Sequence, residues 1–479
     1  MACRKNRHEI QSEENAAEIE VVMKISSSLK TKRMIMFWSK LLIVIIQTGM
    51  YGWLWYNHYK DMMPVAYWHR GNWAVIGLYA VFIMAFSRAF GALKVGYLKT
   101  WDIMYSQILT ILCVNGVTYF QLSLINGDWS LMENSRPMWL LSLADFTIVL
   151  FWAIFMRWIY TIIYPPHEML LIYGDISPDW IIHKLESRND KYHVKDKVAL
   201  SAGVESILEK MLHYDAVLVG DIPAEDRNKF IKYCFEKDIR CYSIPKISDI
   251  MIINADNIDL FDTPLLLFRN NGLTYRQMFL KRCMDIGISL IGIVLASPVM
   301  IAIAIAIKLY DHGPVFYKQK RLTLGGREFD ILKFRSMIVD SEKHGARLAK
   351  AHDDRITPVG KLIRRTHFDE LPQLFNILLG DMSFVGPRPE RKEITEEYAK
   401  EIPEFPFRLK VKAGLTGYAQ VYGQYNTVPY DKLKLDLTYI TKYTIWLDIK
   451  LIFLTVKILF QKEKSEGVDD SQKTALKGS

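Results

Sequence analysis

The chain has 479 residues, half of them hydrophobic and 13% aromatic, with 61 Lys and Arg against 52 Asp and Glu for a net charge of +9. That length suits about three domains, with the apolar content divided between membrane segments and polar domains. A basic balance suits nucleic acid, a membrane surface or an anionic substrate, but no RNA-binding, zinc-finger or leucine-zipper pattern occurs, so no nucleic-acid partner is expected.

Residues 1–33 form a polar segment too long and mixed for a cleavable signal peptide. Four apolar segments follow, Met34 to Tyr56, Trp73 to Phe90, Trp101 to Leu124 and Met138 to Ile163. Each is near the roughly 20 residues a spanning helix needs. Trp53, Trp55, Trp73, Trp101, Trp139 and Trp158 mark their ends, as interfacial aromatics do. These features predict a four-helix transmembrane bundle over residues 34–163. Lys24, Lys30, Lys32 and Arg33 before the first segment, and Arg88, Lys94 and Lys99 around the second connection, place the N-terminus and everything after the fourth segment inside. Asp102 and Asp145, near segment ends, are the acids of these spans, which argues against transport. The five cysteines, Cys3, Cys113, Cys234, Cys241 and Cys283, form no CxxC pair and suit reduced thiols.

Over residues 164–262 short apolar strands such as "EMLLIYGD" and "DAVLVGDI" alternate with helical periods. The rhythm implies βαβ units and a small parallel sheet, a Rossmann-like α/β cytoplasmic domain. No G-x-G-x-x-G follows the first strand, so its role is structural or regulatory.

The stretch "SLIGIVLASPVMIAIAIAIKLY", Ser289 to Tyr310, is long enough to cross a bilayer but carries Ser297-Pro298 at its middle. A proline inside a helix removes one hydrogen bond and clashes with the preceding turn, and Ser297 is placed to satisfy a freed carbonyl. If the segment crossed, the basic remainder would lie outside. Charge parity therefore predicts a re-entrant helix, about residues 283–309, that breaks at Ser297-Pro298 and returns.

Between Lys318 and Arg365 there are thirteen Lys and Arg against six Asp and Glu. "YKQKRLTLGGREFDILKFRSM" reads as a hairpin turning at Gly325-Gly326. Its period of two puts Lys333 and Arg335 on one face, an arrangement suited to a diphosphate. In "FDELPQLFNILLGDMSFVGPRPE", Pro372 opens a helix and Gly380 ends it, so Asp369 and Glu370 sit at its N-terminus, where the dipole favours anions. Adjacent residues diverge on a helix, so one carboxylate would meet substrate and the other a cation. Arg388, fixed between Pro387 and Pro389, is a preorganised phosphate clamp.

"KRCMDIGISLIGIVLASP", "GPVFYKQKR", "FDILKFRSM", "DELPQLFNILLGDMSFVGPRPE" and "KAGLTGYAQVYG" together resemble the bacterial polyprenyl-phosphate hexose-1-phosphate transferases, the monotopic phosphoglycosyl transferases, in their long form with four N-terminal membrane helices. The resemblance implies a membrane-inserted α+β transferase domain over residues 275–465, with a re-entrant helix, and a polar tail at 466–479. It implies transfer of a sugar 1-phosphate from a UDP-sugar to undecaprenyl phosphate, releasing UMP, to initiate exopolysaccharide, capsule or O-antigen repeat units. By the same resemblance Asp369 is the nucleophile and forms an aspartyl-phosphosugar intermediate. Glu370, with Asp369, holds Mg²⁺, and Arg388, Arg364, Lys333 and Arg335 bind phosphate, with Arg365 a rival to Arg364. The implied location is the bacterial cytoplasmic membrane with the catalytic domain facing the cytoplasm. The sugar and the choice between monomer and homodimer stay open.

Two other classes were weighed. A metal-dependent membrane glycosyltransferase would show Asp-x-Asp, which is absent, and a non-catalytic scaffold would release no nucleotide. The C-terminal run "IWLDIKLIFLTVKILF" is expected to lie along the membrane interface, with its Lys residues reaching lipid phosphates. Since every matched motif follows Tyr275, residues 1 to about 270 are expected to be dispensable for the chemistry.

Overall fold

A computed structural model describes residues 30–63, 69–127, 135–174, 177–186, 188–268, 272–338, 355–423 and 427–459. Contacts divide the chain into two compact units. One takes in the chain to Ile172 with Ile181–Val217 and Lys232–Arg240. The other takes in Tyr173–Trp180, Leu218–Ile231 and the chain from Cys241.

Helices α1 (Lys30–Met62), α2 (His69–Phe90), α3 (Thr100–Asn126) and α4 (Arg136–Ile163) are each long and apolar enough to cross a membrane. They enclose an apolar core that includes Ile43, Trp55, Ile83, Val114 and Met156. Without a hydrophobic drive between helices in lipid, polar contacts help fix such packing. Tyr79 donates to Asn115 Oδ1 at 2.7 Å, Asn115 Nδ2 donates to Ser142 Oγ at 2.8 Å, and Trp55 Nε1 donates to Asn72 Oδ1 at 3.0 Å. Asp145, expected near a helix end, instead lies buried within α4 one turn beyond Ser142. Trp53, Trp73, Trp101, Trp139 and Trp158 are exposed, as belt residues in contact with lipid headgroups are, whereas Trp55, expected among them, is buried in the core with its indole N–H bonded to Asn72.

Beyond them come β1 (His167–Tyr173), α5 (Asp179–Glu186), β2 (Tyr192–Ala199), α6 (Val204–Met211), β3 (Ala216–Val219), α7 (Ala224–Glu236), β4 (Arg240–Ser243) and α8 (Ile247–Ile252). Their four strands form a sheet in the order β2-β1-β3-β4. A hairpin of β5 (Asp256–Leu260) and β6 (Thr263–Leu267) follows, every residue of it exposed.

The remaining elements are α9 (Tyr275–Asp311), β7 (Phe316–Leu322), β8 (Glu328–Phe334), α10 (Pro358–Arg365), α11 (Gln373–Leu379), β9 (Ser383–Val385), α12 (Lys392–Glu401), β10 (Gly414–Thr416), α13 (Tyr418–Tyr422), α14 (Pro429–Thr441) and α15 (Ile445–Leu459). Strands β7 and β8 pair antiparallel from Phe316↔Phe334 to Leu322↔Glu328, turning through Gly325 and Gly326 at φ +68° and +79°, as the hairpin pattern predicts.

Three expectations are corrected here. Helix α9 is helical without interruption over 37 residues, with Pro298 inside it. Pro298 leaves the Val294 carbonyl without its helical donor, and Ser297 Oγ donates to that carbonyl at 2.8 Å. The serine thus lets the helix continue through the proline. Helix α15 is not a free interfacial helix, because Leu451 and Leu454 are buried in a core with Val385, Phe405, Leu433 and Leu437. Its Asp448 is fully buried and pairs with Lys281 Nζ of α9 at 2.6 Å. That core also takes in residues before 275. Ile247 and Ile250 of α8 are buried in it, clustered with Val385, Leu433, Leu437 and Ile440.

Candidate active site

A short 3-10 turn, Phe368–Glu370, presents the two carboxylates. The chain leaves α10 through His367, which takes the left-handed φ of +56°, and the turn leads on to Pro372 and α11. The expectation of an ordinary helix N-terminus is therefore corrected. The carboxylates belong to a tight turn ahead of α11, and Pro372 is that helix's cap residue rather than its first residue.

The two carboxylates are treated differently. Glu370 Oε1 receives Lys333 Nζ from β8 at 2.7 Å and Arg388 Nη2 at 3.2 Å. Burial pushes the Glu370 carboxyl up, but the Lys333 and Arg388 charges overcome it and hold it at about 2. Asp369, half-buried, makes no hydrogen bond or ion pair among the described residues. Burial pushes its carboxyl upward and the Glu370 charge adds to this. Lys333, Arg364 and His367 offset only part of the rise. Desolvation is thus the largest cause of the shift.

Around this pair the structure gathers Lys333, Arg388 and Arg364. Arg364, half-buried on α10, keeps Nη1 buried with no hydrogen-bond partner among the described residues, while Arg365 beside it is exposed. Arg335 does not join them. It lies just past the end of β8, buried, and its guanidinium pairs with Asp311 at the end of α9. The predicted shared face of Lys333 and Arg335 ends with the strand, and the structure does not bring Arg335 to the pair. Ser297 and Pro298 lie in α9, far from the turn in sequence, and Ser297 Oγ donates within its own helix, to the Val294 carbonyl.

Arg388 is exposed while the flanking Pro387 and Pro389 are buried, so its guanidinium projects from a fixed backbone. A Cβ on Gly386 would overlap the Lys412 carbonyl, so only glycine lets β9 and the chain before β10 approach this closely. Sequence reasoning missed His367, and it missed the charges behind Arg388, namely the buried Arg408 and Asp436 and the half-buried Glu390, Lys432 and Arg321. Glu390 stood inside the quoted "GPRPE", but the others fall in no shared local pattern.

No group of three or more His, Cys, Asp or Glu among the described residues could by itself hold a metal. Mg²⁺ commonly takes one or two protein carboxylates and completes its shell with water and substrate phosphate. Asp369, with no partner, and Glu370 Oε2, since both cations sit on Oε1, fit that smaller requirement.

Long apolar helices and a turn of paired carboxylates among Lys and Arg mark a membrane-associated protein with a site built for anionic groups. Residues 276–462 match the family model described as bacterial sugar transferase. A protein of Aeromonas hydrophila named UDP-N-acetylgalactosamine-undecaprenyl-phosphate N-acetylgalactosaminephosphotransferase is 36% identical over 301 residues, 61% of this chain and 67% of its own. One of Xanthomonas campestris pv. campestris, named UDP-glucose:undecaprenyl-phosphate glucose-1-phosphate transferase, is 39% identical over 229 residues, 46% of this chain and 47% of its own. One of Salmonella typhimurium, named undecaprenyl-phosphate galactose phosphotransferase, is 36% identical over 238 residues, 46% of this chain and 49% of its own. The matches to these last two span about half of their length. The chain belongs to the bacterial sugar transferase family.

Proposed function

We propose that the protein transfers a sugar 1-phosphate from a UDP-sugar to undecaprenyl phosphate, releasing UMP, in two steps at Asp369. The observation that carries this is the asymmetry of the pair. Glu370 is clasped by Lys333 and Arg388, while Asp369 beside them has no hydrogen bond or ion pair among the described residues. An oxygen of Asp369 attacks the β-phosphorus, the bond to the bridging oxygen breaks, and UMP leaves with its electron pair. An oxygen of the lipid phosphate then attacks the same phosphorus and the carboxylate leaves. Arg388, Lys333 and Arg364 bind and neutralise phosphate oxygens in both steps. Asp369 and Glu370 would hold Mg²⁺, which when bound supplies charge neutralisation for the diphosphate.

The relatives named above act on N-acetylgalactosamine, glucose and galactose donors by name, so the sugar class here is a UDP-hexose or UDP-N-acetylhexosamine. Facing the cytoplasm of the bacterial inner membrane would give the site access to nucleotide sugar. Re-entry of α9 is supported by its partners. Its early residues Lys281 and Arg282 bond to Val385 and to the Ile377 and Leu378 carbonyls, while its later residues Met300, Ile303 and Ile307 pack on Phe334 and Ile363. Both halves therefore serve the same charged domain, which a spanning helix would carry into the hydrocarbon.

The test is incubation of the full chain with a panel of UDP-sugars and Mg²⁺, with and without lipid acceptor. UMP should appear, and mass spectrometry should find a sugar phosphate on the peptide bearing Asp369 when acceptor is withheld. Release of UDP, or UMP only when both substrates are present with no adduct, would overturn the two-step assignment.

A further inference from the structure

Four consecutive carbonyls carry Arg388. The Gly414 N–H donates to the Pro387 oxygen at 2.9 Å, Arg408 Nη2 to the Arg388 oxygen at 3.0 Å, Arg321 Nη1 to the Pro389 oxygen at 3.3 Å, and the Leu322 N–H to the Glu390 oxygen at 3.0 Å. Pro387 and Pro389 have no N–H, so the segment offers few donors of its own and is held from outside. Of the four donors, Arg408 alone grips the carbonyl of Arg388 itself.

Arg408 is 2% exposed and Asp436 of α14 is 1% exposed, with Arg408 Nη2 and Asp436 Oδ2 2.7 Å apart. Arg408 Nη1 lies 3.6 Å from Glu390 Oε1, which Lys432 of α14 reaches at 3.1 Å. Burial pushes the Glu390 carboxyl up, and Lys432 and Arg408 hold it at about 2. Buried charge networks of this kind often give no net stability over an apolar set of the same volume. An apolar set, however, would donate nothing to the Arg388 carbonyl. A lysine would not replace the planar fork that meets Asp436, Glu390 and that carbonyl together.

We propose that Arg408, held by Asp436, is a positioning residue. It fixes the backbone of Arg388 so that the exposed guanidinium meets Glu370 and, on the functional reading above, on which this rests, the phosphates of the donor. Buried behind the segment, Arg408 acts through Arg388.

The test is a double-mutant cycle on the full-length protein in detergent, reading kcat and KM for UMP release with melting curves alongside. Arg408→Lys should lower kcat/KM by about 10- to 100-fold, the scale of a small misplacement of a catalytic group. In an Arg388→Ala background the same change should alter it by less than about twofold, since the effect has no other route. Equal losses in both backgrounds would overturn the proposal. If Arg408→Lys does not melt cooperatively, Asp436→Asn enters the same cycle with the same expectations. A second readout does not use activity. Phenylglyoxal should modify Arg388 faster in Arg408→Lys and Asp436→Asn than in the wild type, and an unchanged rate in folded variants also overturns the proposal. Faster modification in the two variants, with a wild type that releases no UMP, would sink the functional reading and leave the positioning role standing.

Discussion

The two carboxylates make opposite predictions for stability, and the contrast tests their assignment more sharply than loss of activity. Glu370→Gln keeps the side chain's shape and removes the charge that Lys333 and Arg388 hold. The Glu370 carboxyl lies at about 2 against an ordinary 4.5, a difference worth at most about 3 kcal/mol. The side chain is 16% exposed, so solvent screening removes little of that. For a domain of this size the melting temperature should fall by several degrees, at most about 10 °C. Asp369→Asn should do the reverse. Burial makes the Asp369 charge a cost that Lys333, Arg364 and His367 offset only in part, so the variant should melt at or above the wild type. UMP release should nonetheless drop by about three orders of magnitude or more, since the attacking oxygen is gone.

The signs with pH follow. Glu370, depressed on folding, contributes stability that is full above about pH 4.5 and lost as pH falls toward 2. The cost of Asp369, raised on folding, is present above its folded value and relieved on acidification. The gap between the two variants should therefore be widest at neutral pH and narrow below about 4.5. Scanning fluorimetry of the three proteins at pH 7.5 and below 4, paired with UMP assays, measures it. If Asp369→Asn melts as far below wild type as Glu370→Gln does, the pairing energy resides on Asp369 and the division of roles is wrong.

Two further outcomes are expected. A chain beginning at Leu273 should lose cooperative melting and activity, whereas one beginning at Ser243 should retain both, because the first lacks the core residues Ile247 and Ile250. Each buried isoleucine is worth about 2–5 kcal/mol, and equal behaviour of the two truncations would show that α8 is not part of the domain. Topology reporters fused after Ile163 and after Tyr310 should read out on the same side of the membrane. Opposite sides would mean that α9 crosses.

What could be read in the sequence was what is local. The β7–β8 hairpin follows from period-two alternation and two adjacent glycines, and the apolar middle of α9 from its run of apolar residues, though not its full extent. Asp369, Glu370 and Arg388 all lie in one stretch of about twenty residues, so their neighbourhood was visible before their contacts were. Partners chosen by the fold were not visible. Arg335 looked free to bind phosphate until Asp311, 24 residues earlier, was found against it. Helix α8 has only six residues, and nothing in its apolar spacing says whether they face the α/β domain or the transferase core. The direction of the Asp369 shift was illegible for a deeper reason. The neighbouring charges can be listed from sequence, but desolvation, the largest effect on that carboxyl, depends on what the rest of the chain packs over it.

The same distinction explains why Arg388 and Arg408 read so differently. Arg388 is marked by two prolines that restrict the backbone on either side, a local signature with a local cause. Prolines narrow the conformations available to a segment, but without N–H groups they cannot anchor it to anything. A clamp built this way must borrow its anchors, and here they come from β7, from the chain before α13 and from a buried arginine whose own partner is on α14. The stiffness of the motif is therefore encoded where it stands, whereas its placement over Glu370 is encoded in distant residues.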